Sequence, residues 1–127
     1  MSLDAHRSPA DVPDEPGTVD AVQPSADCWV LTPHGEIDAY SSPLLRDRVI
    51  EALESGAVTR LVVDLSRTTF LDSSALGVLV GALKRVRERD GRLDIVSPSD
   101  GVRRIFEITS LDRVLELHDT LASALRA

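Results

Sequence analysis

The residues best suited to chemistry in this chain form the step Asp72-Ser73-Ser74, in which two hydroxyl groups follow a carboxylate. A short apolar run over residues 61–65 precedes the step, and an apolar helical pattern begins directly after it. Backbone N–H groups at a helix start are unpaired, and the helix dipole favours negative charge there. The step therefore suits a helix cap formed by Ser73 or Ser74, an anion site or a phosphate acceptor, and the residues alone leave these roles open.

Other reaction classes lack the residues that they need. A nucleophile elbow of the Gly-x-Ser-x-Gly type would need glycines where Leu71 and Ala75 stand. The three histidines lie at positions 6, 34 and 118, and no spacing pairs one of them with Ser73 as a base. One cysteine and three dispersed histidines show no metal-ligand spacing, and the seven glycines form no phosphate-binding loop. We therefore expect a protein that is not an enzyme, with no catalytic residue, no metal and no cofactor.

Composition predicts one folded domain that avoids nucleic acid and membranes. The 127 residues are 43% hydrophobic but only 3% aromatic, so the core must be aliphatic. A net charge of −7 argues against binding a phosphate backbone. There is no secretory pattern and no apolar run of about 18 residues, and the single cysteine fits a reducing compartment, so we expect a cytoplasmic location. A basic cluster is expected to be a solvated face: Lys84, Arg85, Arg87, Arg89 and Arg92.

The acidic residues are concentrated near the N-terminus. Residues 1–27 hold six acidic residues and one arginine, a net charge of −5, whereas the rest of the chain has a net charge of −2. Residues 1–16 also contain three of the seven prolines and no periodic apolar pattern. We predict a disordered acidic tail over residues 1–16 and a folded domain over residues 17–127. The composition is compatible with a plain spacer and with a regulatory or partner-binding segment.

The spacing of apolar residues predicts strands that alternate with helices. Strands are expected over residues 18–23, 28–32, 61–65, 93–96 and 114–117. The first helix is expected to start at Ser41-Ser42-Pro43, the second to run over about residues 74–89, the third to start at Ser97-Pro98-Ser99 and the fourth to run over residues 120–126. A helix cap at Ser41 or Ser42 followed by Pro43 is typical of a helix start, and Gly56 is typical of a helix end. This alternation favours βα units and a mostly parallel sheet, with the first two strands paired as an antiparallel hairpin.

Four segments occur in an order that resembles a known family. They are Gly35-Glu36-Ile37-Asp38, Leu61-Val62-Val63-Asp64-Leu65, Phe70-Leu71-Asp72-Ser73-Ser74-Ala75-Leu76-Gly77, and Val102-Arg103-Arg104-Ile105-Phe106 with Leu111. Together they resemble the STAS domain of bacterial anti-sigma factor antagonists, also called anti-anti-sigma factors, over about residues 18–126. The resemblance implies an α/β STAS fold: a mixed sheet of four to five strands with about four helices packed mainly on one side.

The resemblance also implies a phosphorylation site. In the family, the serine that directly follows the aspartate at the helix start is phosphorylated by a GHKL-type serine kinase, which is itself the anti-sigma factor. Carried over by position, the phosphoacceptor is Ser73. Ala75 departs from the family pattern, because many members have glycine there, and the exchange bears on how closely a partner approaches. The residues expected to contact the partner are Asp38, Asp72, Ser74, Ala75 and Gly77.

The implied function is regulated binding. The unphosphorylated protein, a monomer or weak dimer, would bind the anti-sigma factor and free a sigma factor, and phosphorylation of Ser73 would end that binding. A PP2C-type phosphatase is the implied partner that reverses the modification. The alternative is an accessory STAS subunit of a transporter or lipid-trafficking complex that acts by docking alone. The sequence leaves open which sigma factor, kinase and phosphatase are involved, and whether Ser74 is also modified.

Overall fold

The computed structural model describes residues 17–127, so the disorder predicted for residues 1–16 lies outside the described residues. The described part contains a mixed five-stranded sheet, a second sheet of two short strands and four helices. In chain order the elements are β1 (Val19–Ser25), β2 (Cys28–Pro33), β3 (Gly35–Ile37), α1 (Ser42–Glu54), β4 (Arg60–Asp64), β5 (Thr68–Leu71), α2 (Ser73–Arg87), β6 (Arg92–Val96), α3 (Asp100–Ile108), a 3-10 turn (Leu111–Arg113), β7 (Glu116–His118) and α4 (Leu121–Arg126).

The main sheet has the strand order β1-β2-β4-β6-β7. Strands β1 and β2 pair antiparallel, and the tight turn between Ser25 and Cys28 closes the predicted hairpin. All other neighbours in this sheet are parallel. Strand β4 lies in the middle and is buried on both faces, as its continuous apolar run predicts. The predicted mixed sheet is therefore confirmed.

The helices cover the two faces of the main sheet unequally. Helices α1, α2 and α3 pack on one face and form the main core, in which Leu45, Leu79 and Phe106 are fully buried. Helix α4 alone covers the opposite face, where Ala124 packs against Val62 and its neighbours. Four helices packed mainly on one side is the arrangement that the resemblance implies, and it is confirmed.

The second sheet was not predicted. Strands β3 and β5 pair in parallel, with Ile37 beside Leu71, and both of these side chains are buried in the main core. The two strands are three and four residues long, too short for an alternating pattern to stand out in the sequence. Because the strands run in the same direction, their carboxyl ends meet, and this brings Asp38 next to Asp72 in the fold.

Part of the basic cluster is structural, which corrects the expectation of a solvated face. Asp94 on β6 is fully buried, and its carboxylate accepts hydrogen bonds from Arg92 Nε (2.8 Å) and Nη2 (2.9 Å). The ring of His118 contacts the same carboxylate through Nε2 at 2.8 Å, so Nε2 is the donor. The Arg89 guanidinium donates to the carbonyl oxygen of Leu53. A buried carboxylate needs such partners, because an unpaired charge in the interior is costly.

We predict that Asp94→Ala lowers the free energy of unfolding by about 3 kcal/mol, because it removes the buried acceptor that Arg92 and His118 share. Urea denaturation followed by circular dichroism measures the loss. The matched control is Asp119→Asn, which breaks an exposed ion pair with Arg103 at 2.8 Å and should cost less than about 1 kcal/mol. Equal losses in the two variants would contradict the role assigned to Asp94.

Candidate functional site

Strand β5 leads directly into α2 at Asp72, which is the N-cap residue of that helix. The backbone of Asp72 is extended, and its Oδ1 accepts hydrogen bonds from the N–H groups of Ser74 (2.8 Å) and Ala75 (3.1 Å). The cap is therefore formed by the aspartate and by neither Ser73 nor Ser74, the residues first expected to form it. This arrangement satisfies two of the otherwise unpaired N–H groups of the helix start.

Ser73 is the first residue of α2 and is exposed. Within residues 17–127, no group forms a hydrogen bond with its hydroxyl. Ser74 is half-buried, and Gly77 is exposed one turn further along the helix. Ala75 was expected to contact the partner, but its side chain is fully buried in the main core and is not accessible to a partner. Of the two serines, Ser73 is thus the one whose hydroxyl faces solvent without a structural role.

Asp38 organises the loop between β3 and α1. Its Oδ1 accepts hydrogen bonds from the N–H groups of Tyr40 (2.9 Å) and Ser41 (3.0 Å). The Ser41 N–H, more than any other group, holds the pKa of this exposed carboxyl below its usual value of 3.8. Ser41 occupies the N-cap position of α1, but its hydroxyl accepts from the Asp38 N–H (3.0 Å) and does not cap the helix. A serine therefore occupies the predicted N-cap position, but its hydroxyl stabilises the loop and forms no cap hydrogen bond.

The Asp38 loop and the start of α2 are joined by hydrogen bonds. Asp72 Oδ2 accepts from the N–H of Ala39 (3.1 Å), and the N–H of Asp72 donates to the carbonyl oxygen of Ile37 (3.1 Å). The carboxylate of Asp72 thus accepts three backbone N–H groups from two different segments. Two predicted site residues that lie 34 positions apart, Asp38 and Asp72, belong to one connected surface beside Ser73.

Two hollows flank this surface. The first, which we call the α1–α2 groove, has a volume of about 310 Å³ and begins at Ser74. Gly77 and Gly81 form part of its wall, and a Cβ atom at either position would meet no atom within 4 Å, so the groove is open above them. The second hollow, of about 470 Å³, lies beside Asp38. It is lined in part by Tyr40, whose side chain is 95% exposed.

Sequence reasoning missed three residues of this region. Tyr40 is the chain's only tyrosine and stands in a polar loop. Aromatic side chains are enriched at interfaces, so its position in the sequence indicates a contact surface. Arg46 and Arg85 line the α1–α2 groove from opposite helices. Their proximity depends on how α1 packs against α2, and no spacing in the sequence reveals it.

The described residues hold no arrangement typical of a metal site or a histidine base. Residues 17–127 contain no group of three His, Cys, Asp or Glu side chains that could hold a metal ion. His34 lies 2.7 Å from Asp20, and His118 contacts Asp94, so neither ring is placed beside Ser73. No helix in this part of the chain is long and apolar enough to cross a membrane.

Known proteins of one family match this chain in sequence and in structure. Residues 20–124 match the family model of the STAS domain. An anti-sigma-B factor antagonist of Listeria monocytogenes is 39% identical over 84 residues, which are 65% of this chain and 72% of the relative. The crystal structure of an anti-sigma factor antagonist from Mycobacterium paratuberculosis superposes with a TM-score of 0.75 at 27% identity, over 90% of this chain and 97% of that one. The Bacillus protein SpoIIAA in its phosphorylated form shares the fold, with a TM-score of 0.67 at 24% identity, over 86% and 97% of the two chains.

We predict that the two roles of the Asp72 carboxylate are separable. Asp72→Ala removes the cap and should lower the free energy of unfolding by about 1–2 kcal/mol. Asp72→Asn keeps a carbonyl oxygen for the cap, but its amide nitrogen cannot accept from the N–H of Ala39. This variant should remain close to the unchanged protein in stability while hydrogen exchange at the Ala39 amide speeds up. An unchanged exchange rate at Ala39 would contradict the assigned hydrogen bond.

The lowered pKa of Asp38 predicts how its loop responds to acid. Because the folded-state value lies below the unfolded-state value, the stabilisation is present above about pH 3.9 and is lost as the pH falls through the folded-state pKa. The amide chemical shifts of Tyr40 and Ser41, followed by NMR, should titrate with a midpoint below 3.8. Asp38→Asn serves as the control and should abolish this transition. A midpoint above 3.8 would show that the carboxylate is not held by these N–H groups.

Proposed function

The chain belongs to the STAS domain family, and we propose that it is an anti-sigma factor antagonist switched by phosphorylation of Ser73. The unphosphorylated form binds an anti-sigma factor that is also a serine kinase, of the GHKL type, and so frees a sigma factor in the cytoplasm. A PP2C-type phosphatase restores the binding form. The observation that carries the proposal is the exposed Ser73 hydroxyl, which takes no part in the helix cap because Asp72 forms it. The relative from Listeria, an anti-sigma-B factor antagonist, supports it.

The proposed docking surface combines the start of α2 with the Asp38 loop. Ser73 and Gly77 are exposed on the helix, and Tyr40 projects from the loop. Small residues on the helix let a partner's backbone approach closely, as a kinase must when it transfers phosphate to a hydroxyl. Ser74 is less accessible because it is half-buried at the end of the α1–α2 groove. This difference in exposure favours Ser73 as the acceptor.

Phosphorylation acts on binding more than on folding. A phosphate adds a charge of about −1.5 to −2 at neutral pH. The N–H groups of Ser74 and Ala75 are already bound by Asp72, so the helix start does not depend on the new group. At about 5 Å from a partner carboxylate, a charge near −2 costs roughly 2–7 kcal/mol for effective dielectric constants of about 80 down to 20. That range corresponds to more than about tenfold in affinity.

The decisive experiment is capture of partners from lysate followed by phosphosite mapping with ATP and the captured kinase. We expect a GHKL-type kinase, its sigma factor released on binding, and phosphate on Ser73. Capture of an ABC transporter ATPase in place of the kinase would favour the accessory-subunit function. Phosphate on Ser74 alone would contradict the assignment of the acceptor.

Serine variants test the switch itself. Ser73→Ala should bind the kinase and resist inactivation by ATP, because it has no hydroxyl to modify. Ser74→Ala is the matched control and should be phosphorylated as the unchanged protein is. Ser73→Glu places a negative charge at the interface and should bind more weakly, which calorimetric titration measures. Binding by Ser73→Glu as tight as that of Ser73→Ala would contradict the charge mechanism.

A further inference from the structure

The first described residue, Gly17, lies at one end of the docking surface. Its N–H donates to the carbonyl oxygen of His34 at 2.9 Å. A Cβ atom at Gly17 would lie 3.9 Å from the Cβ of Ser41. The next two residues along the chain from Ser41, Ser42 and Pro43, line the α1–α2 groove. Gly17 itself lines the hollow beside Asp38, so residues 1–16 join the domain at that hollow, with the α1–α2 groove beginning at the neighbouring Ser42 and Pro43.

Charge distinguishes the two hollows that this segment could reach. Residues 1–16 hold four acidic residues and one arginine. The α1–α2 groove has Arg46 on one wall and Arg85 on the other, with no acidic residue in its lining. The hollow beside the loop is lined by Glu36 and Asp38 as well as by Arg67. An acidic segment is attracted to the groove and repelled by the two carboxylates of the other hollow.

The segment is also long enough to fill the groove. Sixteen residues span up to about 50 Å when extended, whereas α2 covers only about 16 Å between Ser74 and Arg85. Three acidic residues lie close to the domain, at positions 11, 14 and 15.

We propose that the acidic N-terminal segment of this chain docks in the α1–α2 groove, with its carboxylates against Arg46 and Arg85. In the docked state the segment covers Gly77 and lies beside the exposed start of α2. A consequence that rests on the proposed function is competition: the partner must displace the segment, so only the undocked fraction of the protein is ready to bind.

Paramagnetic relaxation measured by NMR on the protein alone tests the docking. A spin label is attached to Ser8→Cys in the full chain; Cys28 does not compete for the label, because it is buried and burial raises the pKa of its thiol. The amide signals of Gly77 and Gly81 should be lost at low salt. They should return at 1 M salt, where the Debye length is about 3 Å. Signals at Gly77 and Gly81 that are unaffected at low salt would overturn the proposal.

Charge-matched variants test which residues hold the segment. Arg46→Gln with Arg85→Gln should restore the Gly77 and Gly81 signals, whereas Lys84→Gln with Arg87→Gln removes the same charge outside the groove and should leave the signals lost. Equal effects of the two double variants would overturn the assignment. Signal loss in isotope-labelled protein without a spin label, mixed with spin-labelled protein, would identify a second copy as the occupant and also overturn it.

Deletion of residues 2–16 tests the competition. If the segment covers the groove in about four molecules of five, the deletion should raise the affinity for the captured anti-sigma factor about fivefold. An unchanged affinity would overturn the competition. The NMR measurement requires no partner, so failure of the proposed function and failure of the docking give different results.

Discussion

The carboxylate of Asp72 accepts three backbone N–H groups, two from the first turn of α2 and one from the loop that follows β3. This one side chain joins two segments that are far apart in the sequence. The Asp72 side chain reaches both segments because β3 and β5 run in parallel, so that the carboxyl ends of these two strands meet. Ile37 and Leu71 hold the two strands in place by packing in the main core. The geometry around the serine step depends on this interaction: without it, the Asp38 loop would be joined to the helix start by the backbone hydrogen bond from Asp72 to Ile37 and by the pairing of β3 with β5.

Because Asp72 forms the helix cap, Ser73 takes no part in it. A helix start favours one negative group, and here Asp72 supplies it permanently. The hydroxyl of Ser73 is therefore left at the surface with no structural role, and a phosphate added there would find the N–H groups of Ser74 and Ala75 already bound by Asp72. Its charge would instead be presented to whatever docks on the helix. Phosphorylation of Ser73, as we propose it, would therefore change binding and leave the fold intact.

Sequence patterns revealed most of the fold and less of the site. The central run of residues 61–65, the hairpin and the four helices were predictable because each has a long enough pattern, or a turn or cap residue, that marks it. Strands β3 and β5 have neither. The cap was not decidable, because Asp and Ser are almost equally good N-cap residues and three of them stand in a row. The sequence does signal the buried pair: Asp94 stands between Leu93 and Ile95 in a strand, and a carboxylate in an apolar run requires a buried partner.

We propose that phosphate on Ser73 controls the affinity for an anti-sigma factor. The most direct test of this proposal is calorimetric titration of the captured anti-sigma factor with protein that carries phosphate on Ser73 alone, beside the unmodified protein at the same salt concentration. We expect phosphate on Ser73 to weaken binding by more than about tenfold, which corresponds to at least about 1.4 kcal/mol. Equal affinities of the two forms would contradict it.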